Sequence, residues 1–511
     1  MTSRTPATIT RRGLLGGLLA GAAGGALAAP SQVVRPLARP GAPVPAAPPA
    51  PIDARPRARP SIADLVRSAR LDGQTGVAIG DPRTGRVLEG VDSAKARPPA
   101  SVTKAVTALY ALETLGDDYR FTTRVLGTGP VENGVVQGDL VLAGGGDPTL
   151  ATDDLAAMVE TLKAAGITGV TGRFAVWGGA FPGVKEIEPS QLDQLGYNPS
   201  FGGLNLNVNR VYFGWARAGE DYEITVDARS ELVQPAVTVA TVEVVDRRGP
   251  VYTYTEGNTV DRWTVARGAL GKAGSRWLPV RFPEVYAAEV FQVLARDAGI
   301  ALSRARVLTE APEGRTLARH DSAPLVEVAR GMMRYSTNLT AEALGMAATA
   351  ARAGSAMELR ASAASMAGWA AERAGISPRF EDHSGLSDRN AISASDMVRL
   401  LAADGVREVL RPVMRDIAMT DVRGNRIAAL AGRVKAKTGT LNFVSALAGY
   451  ATAENGRTYP FAIFSHDPEA REVSKASLDE RPAGTAGFNG RAKRLQQDIL
   501  QFWLVRNGLA R

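Results

Sequence analysis

Ser101-Val102-Thr103-Lys104 heads an alanine- and leucine-rich run that ends at Leu115, directly after Pro98-Pro99-Ala100. The pattern predicts a helix over 101–115, because Pro is tolerated just ahead of a helix and the run consists largely of good helix formers. Residues three apart share a helix face, so the Ser101 hydroxyl and the Lys104 amine can touch. In a first turn the Ser101 N–H has no intrahelical partner and is free to bind a developing oxyanion. A serine is a weak nucleophile until a base takes its proton, and a lysine serves once burial and a neighbouring cation depress its pKa. Alone, a Ser-x-x-Lys pattern is expected about once by chance in such a chain, as a helix cap followed by a solvated lysine.

Two further patterns follow. Ser336-Thr337-Asn338 opens another helical run, where an ordinary N-cap reading also fits. Lys437-Thr438-Gly439-Thr440 stands at the start of an apolar β-like run. Gly there lets a substrate approach the strand backbone, and the Lys and Thr groups suit a carboxylate. The plainer alternative is a strand-initiating turn with a surface lysine. In this order the three patterns resemble the signature of penicillin-binding proteins and serine β-lactamases.

Around the motifs, composition sets bounds. The chain has 511 residues, 45% hydrophobic and 22% charged, a globular balance with length for about three domains. A formal charge of +8 suits acidic partners such as an anionic wall polymer. The basic residues are scattered and no reading module accompanies them, so no nucleic-acid partner is expected. The absence of cysteine excludes disulfides, thiolate catalysis and Cys-based metal sites. His320, His383 and His466 are too scattered for a zinc site and are expected at surface or loop positions; no cofactor or metal is expected.

Residues 1–29 read as a signal peptide of the twin-arginine type, with Arg11-Arg12, an uncharged Gly/Ala/Leu run and Ala26-Leu27-Ala28 before a cleavage point. Residues 30–60 are Pro-rich and read as an extended tether. Beyond them, strands are expected near 75–79 and 86–88, and again at 443–452 and 458–465, with helices between, the later ones at 285–298, 324–333, 339–350 and 393–402. A β-rich block from about 121 interrupts them. Terminal strands that pair would make one discontinuous domain, 61–120 with 321–511, and 121–320 looped out as inserted β-rich domains.

Four features sharpen the resemblance to the D-alanyl-D-alanine carboxypeptidase/endopeptidase family, the low-molecular-mass class C penicillin-binding proteins. Phe121-Thr122-Thr123-Arg124 follows the Ser101 run, and Gly145-Gly146-Asp147-Pro148-Thr149-Leu150 is similar to the family's G-D-P-T-L segment. Asp382-His383-Ser384-Gly385-Leu386-Ser387 resembles its D-G-S-G-L-S loop, and the long interval between Lys104 and Ser336 matches its inserted domains. The resemblance implies an α+β fold: a transpeptidase/β-lactamase-like catalytic domain, an antiparallel sheet flanked by helices, with large β-rich insertions. By the same resemblance Ser101 is the nucleophile, Lys104 its base, Ser336 a proton relay, and Asn338 a holder of Lys104 and the substrate amide. Lys437, Thr438 and Thr440 bind the terminal carboxylate beside Gly439, and the N–H groups of Ser101 and Thr440 form the oxyanion hole.

The implied substrates are peptidoglycan D-alanyl peptides, with β-lactam antibiotics as inhibitors and the periplasm as location. His383 stands where the family usually has Gly, and Asp388 where it often has Arg, near the stem peptide. The rival readings are a β-lactamase or esterase on the same fold, or a catalytically idle wall-binding scaffold. Class C β-lactamases carry Tyr where Ser336 stands, and no G-x-S-x-G elbow supports a Ser-His-Asp hydrolase.

Overall fold

In the computed structural model, described over residues 61–506, the last long strands of the chain pair with its first. Val444–Thr452 and Thr458–His466 run antiparallel, in register from Val444 against His466 to Thr452 against Thr458. Gln74–Gly80 adds to the far side of Thr458–His466, and Val87–Val91 closes that edge. On the other side lie Val434–Leu441 and then the two-residue strand Arg415–Asp416. The sheet thus has six strands, each neighbouring pair antiparallel. The signal peptide and tether expected over 1–29 and 30–60 lie outside the described residues. Among the described residues no helix is long and apolar enough to cross a membrane.

Both faces of this sheet are covered, so Val444–Thr452 and Thr458–His466 read as nearly unbroken apolar runs. Successive side chains still alternate between two cores. Leu447, Ala451, Phe461 and Ile463 pack with Leu495, Ile499 and Trp503 near the C-terminus. Ala446, Ala448, Tyr450 and Phe464 face the other way, into the cluster holding Val102, Val106 and Leu109. Alanines on that face leave room for the helix Thr103–Leu115, buried at every position from Thr103 to Leu112. A helix with no wet side belongs inside a core. Asn338–Ala353 lies alongside, buried from Asn338 to Thr349, and the Tyr110 and Thr349 hydroxyls are 3.2 Å apart.

The stretch between Leu115 and Leu325 builds a separate core. Its largest sheet has five strands, in the order Arg306–Leu308, Phe174–Trp177, Leu140–Ala143, Thr122–Gly127 and Arg315–Asp321. Three-stranded sheets are centred on Arg210–Ala218 and on Asp261–Ala266. The helices Thr152–Ala164 and Pro283–Asp297 send Leu155, Leu162 and Phe291 into the same core as Phe174. The architecture is α+β, as expected: an antiparallel sheet flanked by helices and interrupted by a large β-rich insertion.

Three local expectations change. The helix Leu359–Ala374 is not among the anticipated elements. Leu359, Ala363, Met366 and Ala370 do form its buried stripe, but alanine marks a stripe only weakly against a helix that is alanine-rich throughout. The Lys437 motif lies inside its own strand, Val434–Leu441, rather than at the start of the apolar run after it. His383 lies in a loop, as one of the two expectations had it, but it is fully buried and not at the surface. Its Nε2 lies 2.9 Å from Ser362 Oγ, and burial pushes the imidazole down to about 3, so the ring is neutral.

Room for that ring comes from Gly345, where an added Cβ would stand 2.1 Å from His383 Nδ1. Gly→Ala in an unconstrained helix interior stabilises by up to about 1 kcal/mol. Here overpacking reverses the sign, and Gly345→Ala is expected to cost about 1–3 kcal/mol in urea unfolding. The cost should shrink when measured in a His383→Gly background. A raised or unchanged midpoint for Gly345→Ala alone would refute the packing argument.

Candidate active site

Ala100–Val102 forms a 3-10 turn that runs straight into Thr103–Leu115, so Ser101 and Lys104 stand one turn apart at the head of a buried helix. Lys104 has no exposed surface. Its Nζ donates to Ser101 Oγ (3.0 Å), to Asn338 Oδ1 (2.7 Å) and to the Ser384 carbonyl oxygen (2.6 Å). The last two are acceptors that cannot donate in return. In the uncharged amine they occupy two N–H groups and leave the lone pair directed at Ser101. Burial pushes the Lys104 amine down to about 8, against the pull of the Glu342 and Asp382 charges.

Two glycines let backbone reach Ser101. A Cβ at Gly439 would lie 2.6 Å from Pro99 O and 2.9 Å from Ser101 N, so the strand Val434–Leu441 can rest against the Ser101 turn only without a side chain there. Gly385, at φ +79°, brings the loop over 382–390 so close that a Cβ would stand 1.8 Å from Ala100 O. That loop carries the Ser384 carbonyl that holds Lys104.

Ser336 does not open a helix. It ends Leu325–Tyr335 in the left-handed conformation, φ +60°, and Asn338 is the first residue of the next helix. The sharp reversal brings both side chains to the site. Lys437 Nζ donates to Ser336 Oγ (2.8 Å) and to the Thr438 carbonyl (2.7 Å). Burial first, then Lys104 and Arg415, push the Lys437 ammonium well below its ordinary range. Asn338 Nδ2 donates to the Tyr197 carbonyl (2.7 Å), so the insertion helps fix the amide that faces Lys104. Thr440 is exposed; with Thr438 and Gly439 it borders a cavity of about 640 Å³ that Arg415, Lys493 and Arg494 also line. All eight residues singled out from the motifs therefore lie on the Ser101 turn and helix, the Ser336–Asn338 reversal and the Lys437 strand, joined by these contacts.

Several participants stand outside the three motifs. Glu342, one turn beyond Asn338, is fully buried; its Oε2 accepts the His383 N–H (2.9 Å) and its Oε1 the Ser384 N–H (3.0 Å). Burial and the Asp382 charge raise its carboxyl above the ordinary range. Asp382 accepts from the Ser387 N–H (2.6 Å) and Asn390 Nδ2 (2.9 Å), closing the loop on itself. A signal for Glu342 existed, an acidic residue within the apolar run 339–349, since such charges are rarely buried without purpose. The Ser384 carbonyl belongs to the segment whose resemblance to the family's loop marked it, whereas the Tyr197 carbonyl had no signal. Asp388, whose position the resemblance puts near the stem peptide, is engaged within the chain, 3.2 Å from Arg471 Nε and 2.7 Å from Lys475 Nζ.

Known proteins are similar to this chain in sequence and in fold. The D-alanyl-D-alanine carboxypeptidase of Actinomadura sp. (strain R39) is 28% identical over 481 residues, 84% of this chain and 87% of that one. The crystal structure of penicillin binding protein 4 (dacB) from Haemophilus influenzae matches with a TM-score of 0.71 at 22% identity, over 86% of this chain and 99% of that one. The same protein complexed with a novel β-lactam matches at 0.67 and 21%, with the same coverage. These structures share the fold, a transpeptidase-like body with inserted domains. Because the D-Ala-D-Ala carboxypeptidase 3 (S13) family matches residues 58–483, a span holding all three motifs and both halves of the Ser101 site, the chain belongs to that family.

Proposed function

We propose that the chain is a serine D-alanyl-D-alanine peptidase that cleaves peptidoglycan stem peptides through an acyl-enzyme on Ser101. The observation that carries this reading is the directed contact of the buried Lys104 Nζ with Ser101 Oγ, its other two bonds being taken by carbonyl oxygens. Ser101 Oγ attacks the carbonyl carbon of the penultimate D-alanine as its proton passes to Lys104. The oxyanion is received by the N–H groups of Ser101 and Thr440. When the C–N bond breaks, the leaving amine takes a proton through Ser336, whose oxygen already accepts from Lys437. Thr438, Thr440 and Lys437 hold the terminal carboxylate, and Asn338 holds Lys104 and the substrate amide. Water then attacks the ester, and Ser101 regains its proton. Carboxypeptidase and endopeptidase action are one chemistry on different leaving amines.

In this reading residues 61–120 and 321–511 form the catalytic domain and 121–320 the inserted domains. Residues 1–29 are a twin-arginine-type export signal and 30–60 a tether, which places the enzyme outside the cytoplasm, where peptidoglycan lies. The curated relative from Actinomadura, a D-alanyl-D-alanine carboxypeptidase by name, and the β-lactam-complexed Haemophilus structure support the activity and the inhibitor class.

A β-lactam presents a strained amide and a carboxylate, so Ser101 should open it and stay acylated while the tethered nitrogen blocks water. Intact-mass analysis is expected to show one acyl group per chain, on the peptide containing Ser101. Lys104→Ala should slow both acylation and D-alanine release by about a thousandfold or more. Label on another serine overturns the role assignment. Rapid turnover of the β-lactam marks a β-lactamase, and a folded chain with neither label nor D-alanine release marks an idle scaffold.

The pH dependence has a defined sign. Only the uncharged Lys104 amine can accept the Ser101 proton, so kcat/KM should rise with pH through a limb near 8. The Glu342 charge, among others, holds that amine up. Glu342→Gln should therefore move the limb to lower pH, while leaving one buried N–H unpaired at about 1–3 kcal/mol of stability. A profile flat across that window, or a limb unmoved by Glu342→Gln, would remove Lys104 as the titrating base.

A further inference from the structure

Between the strands Phe174–Trp177 and Arg210–Ala218 the chain has no helix or strand, only a bridge that pairs Val184 with Phe201. Loops of this length within a folded body are uncommon and usually functional. This one delivers the Tyr197 carbonyl to Asn338 Nδ2 at 2.7 Å, so its placement bears on the Lys104 site. Its anchor is Arg281, which stands between the strand Ala273–Pro279 and the helix Pro283–Asp297 and is 4% exposed. Arg281 Nη1 donates to the carbonyls of Lys185 (2.9 Å) and Asn198 (2.8 Å). Its Nη2 donates to the Asp193 carbonyl (2.9 Å) and lies 2.7 Å from Glu186 Oε1.

Two of these bonds, at Asp193 and Asn198, bracket Tyr197, and Asn198 directly follows it. A buried guanidinium must find acceptors for its charge, and its rigid fork of N–H groups fixes where they stand. The Arg281 backbone is held in turn, its N–H donating to Asp261 Oδ2 at 2.9 Å. At the far end of this chain of contacts is an amide. The oxygen and nitrogen ends of Asn338 have nearly the same shape, so their partners decide which end faces Lys104. With Nδ2 on the Tyr197 carbonyl, Oδ1 is left for Lys104 Nζ at 2.7 Å. A turned amide would aim N–H at the lone pair that must take the Ser101 proton, and the base would be blocked.

We propose that Arg281, in the insertion, is a positioning residue for the reaction at Ser101: it holds the loop over 185–198 so that the Tyr197 carbonyl keeps the Asn338 oxygen on Lys104. The assignment rests on the peptidase reading above. The insertion then does more than flank the catalytic sheet, because the orientation of the base depends on it. The Asn338 oxygen also favours the charged form of Lys104, so a loosened amide makes the lysine easier to deprotonate while leaving it poorly aimed.

Arg281→Lys keeps a charge beside Glu186 but loses the fork. Acylation of Ser101 by a β-lactam, followed by intact mass, should slow by about ten- to a hundredfold, because a small misplacement of reacting groups costs that much. On an acyl-D-alanyl-D-alanine peptide kcat should fall with it while KM changes little, since Arg281 touches no substrate. The pH limb of acylation should move to lower pH. Asn338→Ala should give both effects on acylation, and adding Arg281→Lys to Asn338→Ala should cost little more, because the two act along one path. Losses that multiply in the double variant would mean that Arg281 only supports the fold. No loss in Arg281→Lys, or a limb that stays in place, would mean that it does not reach Lys104; each of these overturns the proposal. Should Arg281→Lys fail to fold, Asn198→Ala takes its place in the same cycle, removing the bond from Asn198 Nδ2 to the Glu188 carbonyl (3.0 Å) while keeping the guanidinium. Independent losses there sink the inference equally. Failure of the peptidase reading shows separately, as a wild-type chain that neither releases D-alanine nor is acylated.

Discussion

An amine shut away from water, one helical turn from a serine, is the constraint on which the rest of this molecule depends. A buried lysine must either find enough acceptors for its charge or give up its proton. Lys104 meets acceptors from three separate parts of the chain: Ser101 on its own turn, the Asn338 amide and the Ser384 carbonyl. Each needs support of its own. Asn338 is held from the far side by the Tyr197 carbonyl, and the Ser384 peptide is held by Glu342. The requirement of one ammonium group thus spreads outward into a helix, a loop and the insertion.

Backbone geometry makes this convergence possible. Gly439 and Gly385 allow a strand and a loop to press against the Ser101 turn, where any side chain would collide. Ser336 adopts a left-handed conformation that ordinary residues avoid, and so turns the chain between two helices with its hydroxyl on Lys437. Charge is sorted as well. Glu342 and Asp382 are engaged with N–H groups of the loop over 382–390, whereas Lys437 and Arg415 gather at the strand edge. Burial favours a neutral Lys104 against the pull of the two carboxylates, and the cations at the edge favour an anion there.

Much of this was legible beforehand. The helix after Ser101 and the paired strands near 443–452 and 458–465 follow from runs of one residue class. The order of the three motifs pointed to one site. Less legible were features whose cause lies far away in sequence. The burial of the loop residue His383 left no sign because its partners, Gly345, Ser362 and Met366, belong to helices that only packing brings near. The ion pairs of Asp388 left no sign because Arg471 and Lys475 follow it by many residues. The helix Leu359–Ala374 was hidden by its alanines, which bury well but scarcely stand out from their neighbours.

By itself, the sequence determined the local chemistry: a serine and a lysine three apart on one helix face, a glycine inside a basic strand motif, and the apolar runs of a doubly covered sheet. These depend on residues a few positions apart, whose geometry the backbone imposes wherever the segment lies. Only the tertiary structure decided which carbonyls hold Lys104, that Glu342 clamps the loop behind it, and that Arg415 lies beside Thr438. Those contacts join segments brought together by core packing, and backbone carbonyls, which every residue possesses, leave no mark in the amino-acid sequence.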